Sequence, residues 1–309
     1  MSIGNSSIPE RVTQIIIERL EAGCAPWRQP WKNLVGEGAN HNAYSRHEYT
    51  GVNRWTLAVK AIERGYDDPR WLTYKQAREH GGNVRHGERG QLVVFFKMSP
   101  TMVEGLDSTG NVVQEVKHVP LLRAYTVFNV GQCDGLKLPA VTHDKPLDPI
   151  EEAEAVLAGY EGAPPISFNG NRAAYSPGRD EVYLPRAGQF DTPEHWYSVA
   201  FHEFVHSTGH RDRLNRTSLT AITRFSDHQY TREELTAELG ACMLSTRAGI
   251  EAVTVDESAA YISHWVKFLK HDPKAVIVAA GAAEKAYRHI LGASAPTGGR
   301  ETARELVTA

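Results

Sequence analysis

Cysteine is scarce in this chain. Cys24, Cys133 and Cys242 are the three in 309 residues, widely separated and odd in number. That excludes a disulfide framework and a paired-cysteine metal knuckle, and leaves them as small apolar groups. No run approaches the roughly 18 uninterrupted apolar residues of a membrane-spanning helix, and the N-terminus MSIGNSSIPERVTQ lacks the basic-then-apolar order of an export signal. The expectation is a protein of a reducing cytoplasm, without a membrane partner. A strong charge of either sign is also missing. The formal net charge is -3, the sum of +3 from residues 1–130 (16 Lys/Arg against 13 Asp/Glu) and -6 from residues 131–309 (18 against 24). A dedicated duplex-DNA binder is far more basic, so charge gives only a faint pointer to an anionic partner for the first half.

What is present is ordinary globular usage, 41% apolar and 23% charged, which excludes a mainly disordered or fibrous chain. The length exceeds most single cores and favours two domains. Pro139, Pro146 and Pro149 stand among polar residues, so the division expected is a domain over 1–135, a linker over 136–150 and a domain over 151–309, with 293–309 a flexible tail. Helices are read at 8–20, 49–65 and 73–80 and strands at 92–97 and 122–129, making the first half α+β. The second half reads as a helix at 150–160 and a short strand stopped by Pro185. A helix opening at Thr192-Pro193 follows, then helices at 231–244 and 258–269.

HEFVH, residues 202–206, carries the clearest chemistry. On a helix, His202 and His206 sit one turn apart on one face and can offer two imidazoles to one cation, while Glu203 is offset enough to act on water there as general base. Zinc held by two His and a carboxylate keeps an open position for that water, so the expected cofactor is zinc, or manganese or another divalent metal in its place. Trp196, Val199, Ala200, Phe204 and Val205 make the flanks apolar, and Gly209 stands where such a helix should end. The third ligand is open among Asp212, which completes HxxxHxxGxxD, His210, another turn along, and Glu234, on the next helix. Glu234 is preferred, with Glu238, four residues on, supporting a ligand histidine from outside. Small residues beside them, Ala237 and Ala241, suit close packing against the HEFVH helix.

Four of the six tryptophans, Trp27, Trp31, Trp55 and Trp71, fall in the first 71 residues among Arg28, Lys32, Arg54, Arg70 and Lys75. Aromatic faces that stack bases while cations follow phosphates are how single-stranded nucleic acid is held without sequence preference. On the residues alone the balance tips towards the alternative, a tryptophan-rich core with solvated charges.

These residues, with several longer strings, resemble the ArdC-type antirestriction proteins and are similar to the N-terminal region of plasmid TraC primases. The resemblance spans nearly the whole chain. In the first half it rests on PWRQPW (26–31), Asn42 with YTGVN (49–53), PRWLT (69–73), GGNVRHGERG (81–90) and YTVFN (125–129). In the second it rests on DEVYLP (180–185), HEFVHSTGHRDRL (202–214) and EELTAELGA (233–241). It implies a domain binding single-stranded DNA without sequence specificity, joined to a zincin-like metallopeptidase domain, plasmid-borne and protecting incoming DNA from host restriction during conjugation. It favours Glu234 and Glu238 in the roles above. With the aromatic and cationic chemistry it nominates Trp27, Trp31, Asn42, Tyr44, Tyr49, Arg54, Arg70 and Trp71 as DNA contacts, and 181–184 as the edge strand for an extended peptide substrate. Two rivals remain: a DNA-binding shield whose metal site is structural or inactive, and a protease that cuts one host protein chosen by the first half.

Overall fold

The computed structural model of the chain describes residues 6–28, 34–35, 38–106, 112–138, 148–168, 172–220, 228–250 and 259–292. Helix α1 (Ile8–Glu21) opens on a capping box, in which Glu10 N donates to Ser7 Oγ and Ser7 N donates to Glu10. Its apolar stripe, Val12, Ile16, Ile17 and Leu20, is buried. Strand β1 (His41–Asn42) and helix α2 (Val52–Arg64) follow, the helix stopped by Gly65 in the left-handed conformation at φ 64°. Next come β2 (Arg70–Thr73), α3 (Tyr74–Glu79), β3 (Asn83–Val84), β4 (Gln91–Leu106), β5 (Val112–Asn129) and β6 (Cys133–Asp134). They make a four-stranded sheet in the order β1-β2-β5-β4, with β1 and β2 parallel and the rest antiparallel, beside the pair β3-β6.

Strands β4 and β5 form one long hairpin, of which the sequence reading found only the ends at 92–97 and 122–129. Pro100 faces His118 and Pro120 faces Met98 in the register. A proline gives the ladder no donor, so its presence argues against a strand unless pairing partners elsewhere hold the segment extended.

The second half contains α4 (Pro149–Ala158), β7 (Ile166–Ser167), β8 (Ala174–Ser176), β9 (Glu181–Tyr183), α5 (Pro193–Ser207), α6 (Thr217–Thr220), α7 (His228–Arg247), α8 (Ala259–His271) and α9 (Ala275–Ile290). The three strands form a small sheet in the order β7-β9-β8. Helix α9 has no counterpart in the sequence reading. Its Ala275, Val276, Ala279, Ala280, Ala283, Ala286 and Ile290 form the buried face, while Val278 and Lys285 stand exposed; a buried stripe made largely of alanine, opposite an exposed valine, contrasts too weakly with the other face to mark the helix. Residues 139–147 of the expected linker and the tail 293–309 lie outside the described residues. No helix among the described residues is long and apolar enough to cross a membrane.

The fold is α+β with two domains, and the two share a core. Val12, Ile16, Trp27 and Trp55 of the first half pack in one cluster with Leu235, Leu239, Trp265, Val276 and Ala280 of the second. Within it, α5 and α7 approach closely at Gly240, where an added Cβ would stand 2.8 Å from both methyls of Val205. Valine is stiff at χ1 and cannot swing aside. Gly240→Ala should gain roughly 1 kcal/mol of helix propensity and lose about 1–3 kcal/mol to overpacking, a net destabilisation of about 1 kcal/mol in urea unfolding. Val205→Ala in the same chain should relieve it.

Candidate metal centre and cleft

Helix α5 begins where the sequence places it. Thr192 Oγ1 accepts from His195 N at 3.2 Å and Pro193 occupies the first turn. Burial of Ala200, Phe201, Phe204 and Val205 turns the opposite face, carrying His202, Glu203 and His206, towards a cleft of about 1340 Å3. The Nε2 atoms of the two histidines lie 3.1 Å apart. From α7, Glu234 brings one carboxylate oxygen to 3.6 Å from His202 Nε2 and the other to 3.5 Å from His206 Nε2. Donors held about 2.0–2.1 Å from one tetrahedral ion stand roughly 3.3 Å from one another, so this donor set fits a single divalent cation. Among the described residues it is the one group of three such side chains drawn together. Asp212, 73% exposed, instead stands 3.5 Å from His210 Nδ1, and neither joins the group. Gly209 leaves room for the arginine that folds under the helix end: a Cβ there would meet the Arg216 guanidinium at 2.8 Å.

Electrostatics bind these groups to one another. Burial disfavours a charged His202, but its hydrogen bond to Glu234 and the carboxylates of Glu238, Glu203 and Glu234 outweigh it and push the imidazole up to about 9. Burial likewise opposes ionised Glu234, and the two histidines together with Tyr230 hold its carboxyl below the usual range. Tyr230, one turn before Glu234, lines the cleft and is pushed up to about 12 by burial and by that carboxylate.

Sequence reasoning missed the group that braces His206. Its Nδ1 lies 3.2 Å from Glu233, a residue 1% exposed. Glu233 in turn receives Arg216 Nε at 3.1 Å, Nη2 at 2.5 Å and Ser218 Oγ at 2.6 Å. These partners outweigh the cost of burial and hold its carboxyl far below the usual range. Glu238, expected to support a ligand histidine, accepts from Tyr261 Oη at 3.1 Å, and its charge acts on His202. Strand β9, expected at an edge over 181–184, is the centre of its sheet with both sides paired, so it has no free side for a peptide. Among the described residues the edge along the cleft is β8, where Ala174 and Tyr175, with Ala173 just before them, line the wall.

The nominated DNA contacts are differently placed, and most are interior. Trp27 is 2% exposed and donates to Tyr261 Oη at 2.9 Å, and Trp71 is fully buried and donates to Asn40 Oδ1 at 2.7 Å. Tyr49 is buried against Phe95. Asn42 is buried and donates to Gln76 Oε1 while accepting from Tyr44 N and Ser45 N. Arg54, 1% exposed, pairs with Glu284 and Glu48, and the largely buried Arg70 makes a forked pair with Asp68. Their polar and aromatic faces are spent inside the protein, so in this fold they build the scaffold and do not present a stacking surface. Tyr44 is half-buried, stacked on His80 at 3.5 Å. Trp31 lies outside the described residues.

An HExxH helix, a carboxylate from α7 and a small sheet edging the cleft define a zincin-like metallopeptidase domain, here joined to an α+β partner. Residues 151–282 match the zincin-like metallopeptidase model, and residues 6–128 match the N-terminal domain of the antirestriction factor ArdC. Over 94% of this chain and 100% of the other, the structure superposes on the crystal structure of the antirestriction ArdC protein from plasmid R388. The TM-score is 0.69 with 34% identity for its metal-free form, and 0.69 with 33% for its Mn(II)-bound form. An uncharacterised protein of Sinorhizobium fredii, y4eC, is 34% identical over 285 residues, covering 91% of this chain and 90% of that one. Two DNA primases TraC of Escherichia coli are each 35% identical across 91% of this chain, which spans only 27% and 20% of their lengths. The chain belongs to the ArdC antirestriction family.

Proposed function

We propose that this antirestriction-family protein binds single-stranded DNA through its first half and hydrolyses peptide bonds in the cleft of its second. The observation that carries the peptidase reading is the convergence of His202, His206 and Glu234 on one point, with Glu203 beside it in the same cleft. Those three side chains would hold a divalent ion, zinc or the manganese seen in the R388 relative. When bound, such an ion supplies Lewis-acid polarisation of the scissile carbonyl and of water. Glu203 takes a proton from the attacking water and returns it to the leaving amine nitrogen. The β8 edge aligns an extended peptide by backbone hydrogen bonds.

For DNA, the exposed side chains of the first half include Arg46, Tyr74, Lys75, Arg78, His86 and Arg89, Tyr74 at 53%. Cations and an aromatic face of this kind suit sequence-tolerant contact with a phosphate backbone and its bases.

Glu203→Gln tests the reading. It should lower peptide cleavage by about 10²–10⁴-fold, the contribution of a positioned general base, without lowering the melting temperature. Cleavage by the variant at the wild-type rate would overturn the peptidase assignment. Undiminished protection of transferred DNA by the variant would favour the DNA shield, with proteolysis dispensable to it.

A further inference from the structure

Arg213 lies in the loop after α5 and joins three separate segments. Its Nε donates at 2.8 Å to the carbonyl of Ser207, the residue after His206 and the last of α5. Nη1 donates to Gly162 O at 3.2 Å and to Asp180 Oδ2 at 3.1 Å, and Nη2 donates to Tyr175 Oη at 3.2 Å and to Asp180 Oδ1. Each of the five N–H groups of a guanidinium therefore has an acceptor here. The Tyr175 hydroxyl, which accepts from Arg213, donates in turn to Asp180 Oδ1 at 2.7 Å.

Tyr175 belongs to β8, the strand along the cleft, and Asp180 closes the turn between β8 and β9. Asp180 stands at φ 50°, a left-handed conformation that costs a non-glycine residue energy and persists where its surroundings impose it. The forked pair with Arg213 imposes it. Near the other end of α5, Trp196 Nε1 donates to Pro185 O at 3.0 Å, just beyond β9. The small sheet is thus tied to α5 towards both ends of the helix, and His202, Glu203 and His206 lie between the two ties.

We propose that Arg213 is a positioning residue for the substrate: by locking Asp180 and Tyr175 to the end of α5, it holds the β8 edge in place beside the metal ligands, so that an extended peptide pairs with a strand already ordered. The inference rests on the reading of the cleft as a peptidase site whose β8 edge takes the peptide. A planar fork fits this task, whereas an ammonium carries its three donors on one atom and cannot span acceptors on opposite sides of a guanidinium. Without the fork the edge must be ordered anew each time a peptide binds, which weakens binding without touching the chemistry.

The test uses the Zn2+-loaded full chain and two probes: internally quenched peptides of about ten residues, long enough to run along an edge strand, and a blocked dipeptide confined to the metal centre. Arg213→Lys should raise KM for the long peptides about tenfold with kcat far less changed, while cleavage of the dipeptide stays within about twofold of wild type. Tyr175→Phe removes one hydroxyl from the network, keeps the ring, and should move KM the same way by less. Backbone amides over 174–183 should exchange faster with solvent in both variants, and Zn2+ affinity measured by chelator competition should stay as in wild type. A loss that falls equally on both probes, or a matching fall in Zn2+ affinity, would place the effect on α5 and the metal centre and overturn the proposal. If both variants cleave the long peptides with the wild-type KM, the positioning role is wrong and the peptidase reading stands. Should the wild-type protein cleave neither probe, that reading fails and the proposal with it.

Discussion

Arg216→Met should lower the stability of the protein by about 3–5 kcal/mol in urea unfolding, because it strands a buried carboxylate. Arg216 is itself buried, and its guanidinium makes a forked pair with Glu233. It also donates to Thr208 Oγ1 at 2.5 Å, Val205 O at 2.7 Å and His206 O at 3.3 Å, the last carbonyls of α5. Removing it leaves Glu233 with Ser218 and His206 alone, and the end of α5 without its donors. Zn2+ affinity should fall with stability, by roughly 10–100-fold, since Glu233 can no longer fix the His206 ring. The fall should persist at temperatures well below the melting transition, where unfolding does not contribute. Unchanged metal affinity in a folded variant would show that Glu233 holds its place without the arginine.

The contrast between Glu233 and the HEFVH helix shows which parts of this site a sequence discloses. His202, Glu203 and His206 are three positions of one helix, and their mutual geometry follows from 3.6 residues per turn together with an N-cap at Thr192. Glu234 could be preferred because a helix with small residues at 237 and 241 can come close to another, as α7 does to α5 at Gly240. Which carboxylate supports which histidine depends instead on how the two helices cross. Along one chain segment, Glu233 reaches His206 while Glu238 takes the Tyr261 hydroxyl, and nothing local separates these from ordinary surface acids. Arg216 gives even less warning, an arginine in a polar loop that folds back under the helix end. The tryptophans fail for a related reason. An indole beside a cation suits both a stacking platform and a core, and only packing across more than 200 residues, as between Trp27 and Tyr261, decides for the core.

That long-range packing gives the second large effect, at Arg54 and Glu284. Arg54 lies on α2 and Glu284 on α9, and their guanidinium and carboxylate meet at 3.0–3.2 Å inside the protein. Arg54 also donates to Leu34 O and pairs with Glu48 at 2.7 Å. Burial opposes its charge, yet Glu284 and Glu48 outweigh that and keep it firmly protonated. The two partners are not equivalent. Glu284→Met leaves a guanidinium that cannot shed its proton, with only the partly exposed Glu48 as counter-charge, and should cost about 3–5 kcal/mol. Arg54→Met leaves Glu284 bonded to Arg288 Nε at 2.9 Å and able to take up a proton, so its cost should be smaller, about 2–3 kcal/mol. The double variant replaces the pair by apolar side chains and should lose less than the sum, by about 1–3 kcal/mol of coupling. Because the pair joins α2 to α9 across the shared core, every variant should still unfold in one transition, with tryptophan fluorescence and loss of bound Zn2+ coinciding. Separate transitions, or additive losses, would mean that the two halves fold independently. Affinity of folded Arg54→Met for single-stranded DNA should match wild type at equal salt, since this arginine faces Glu284 and not solvent.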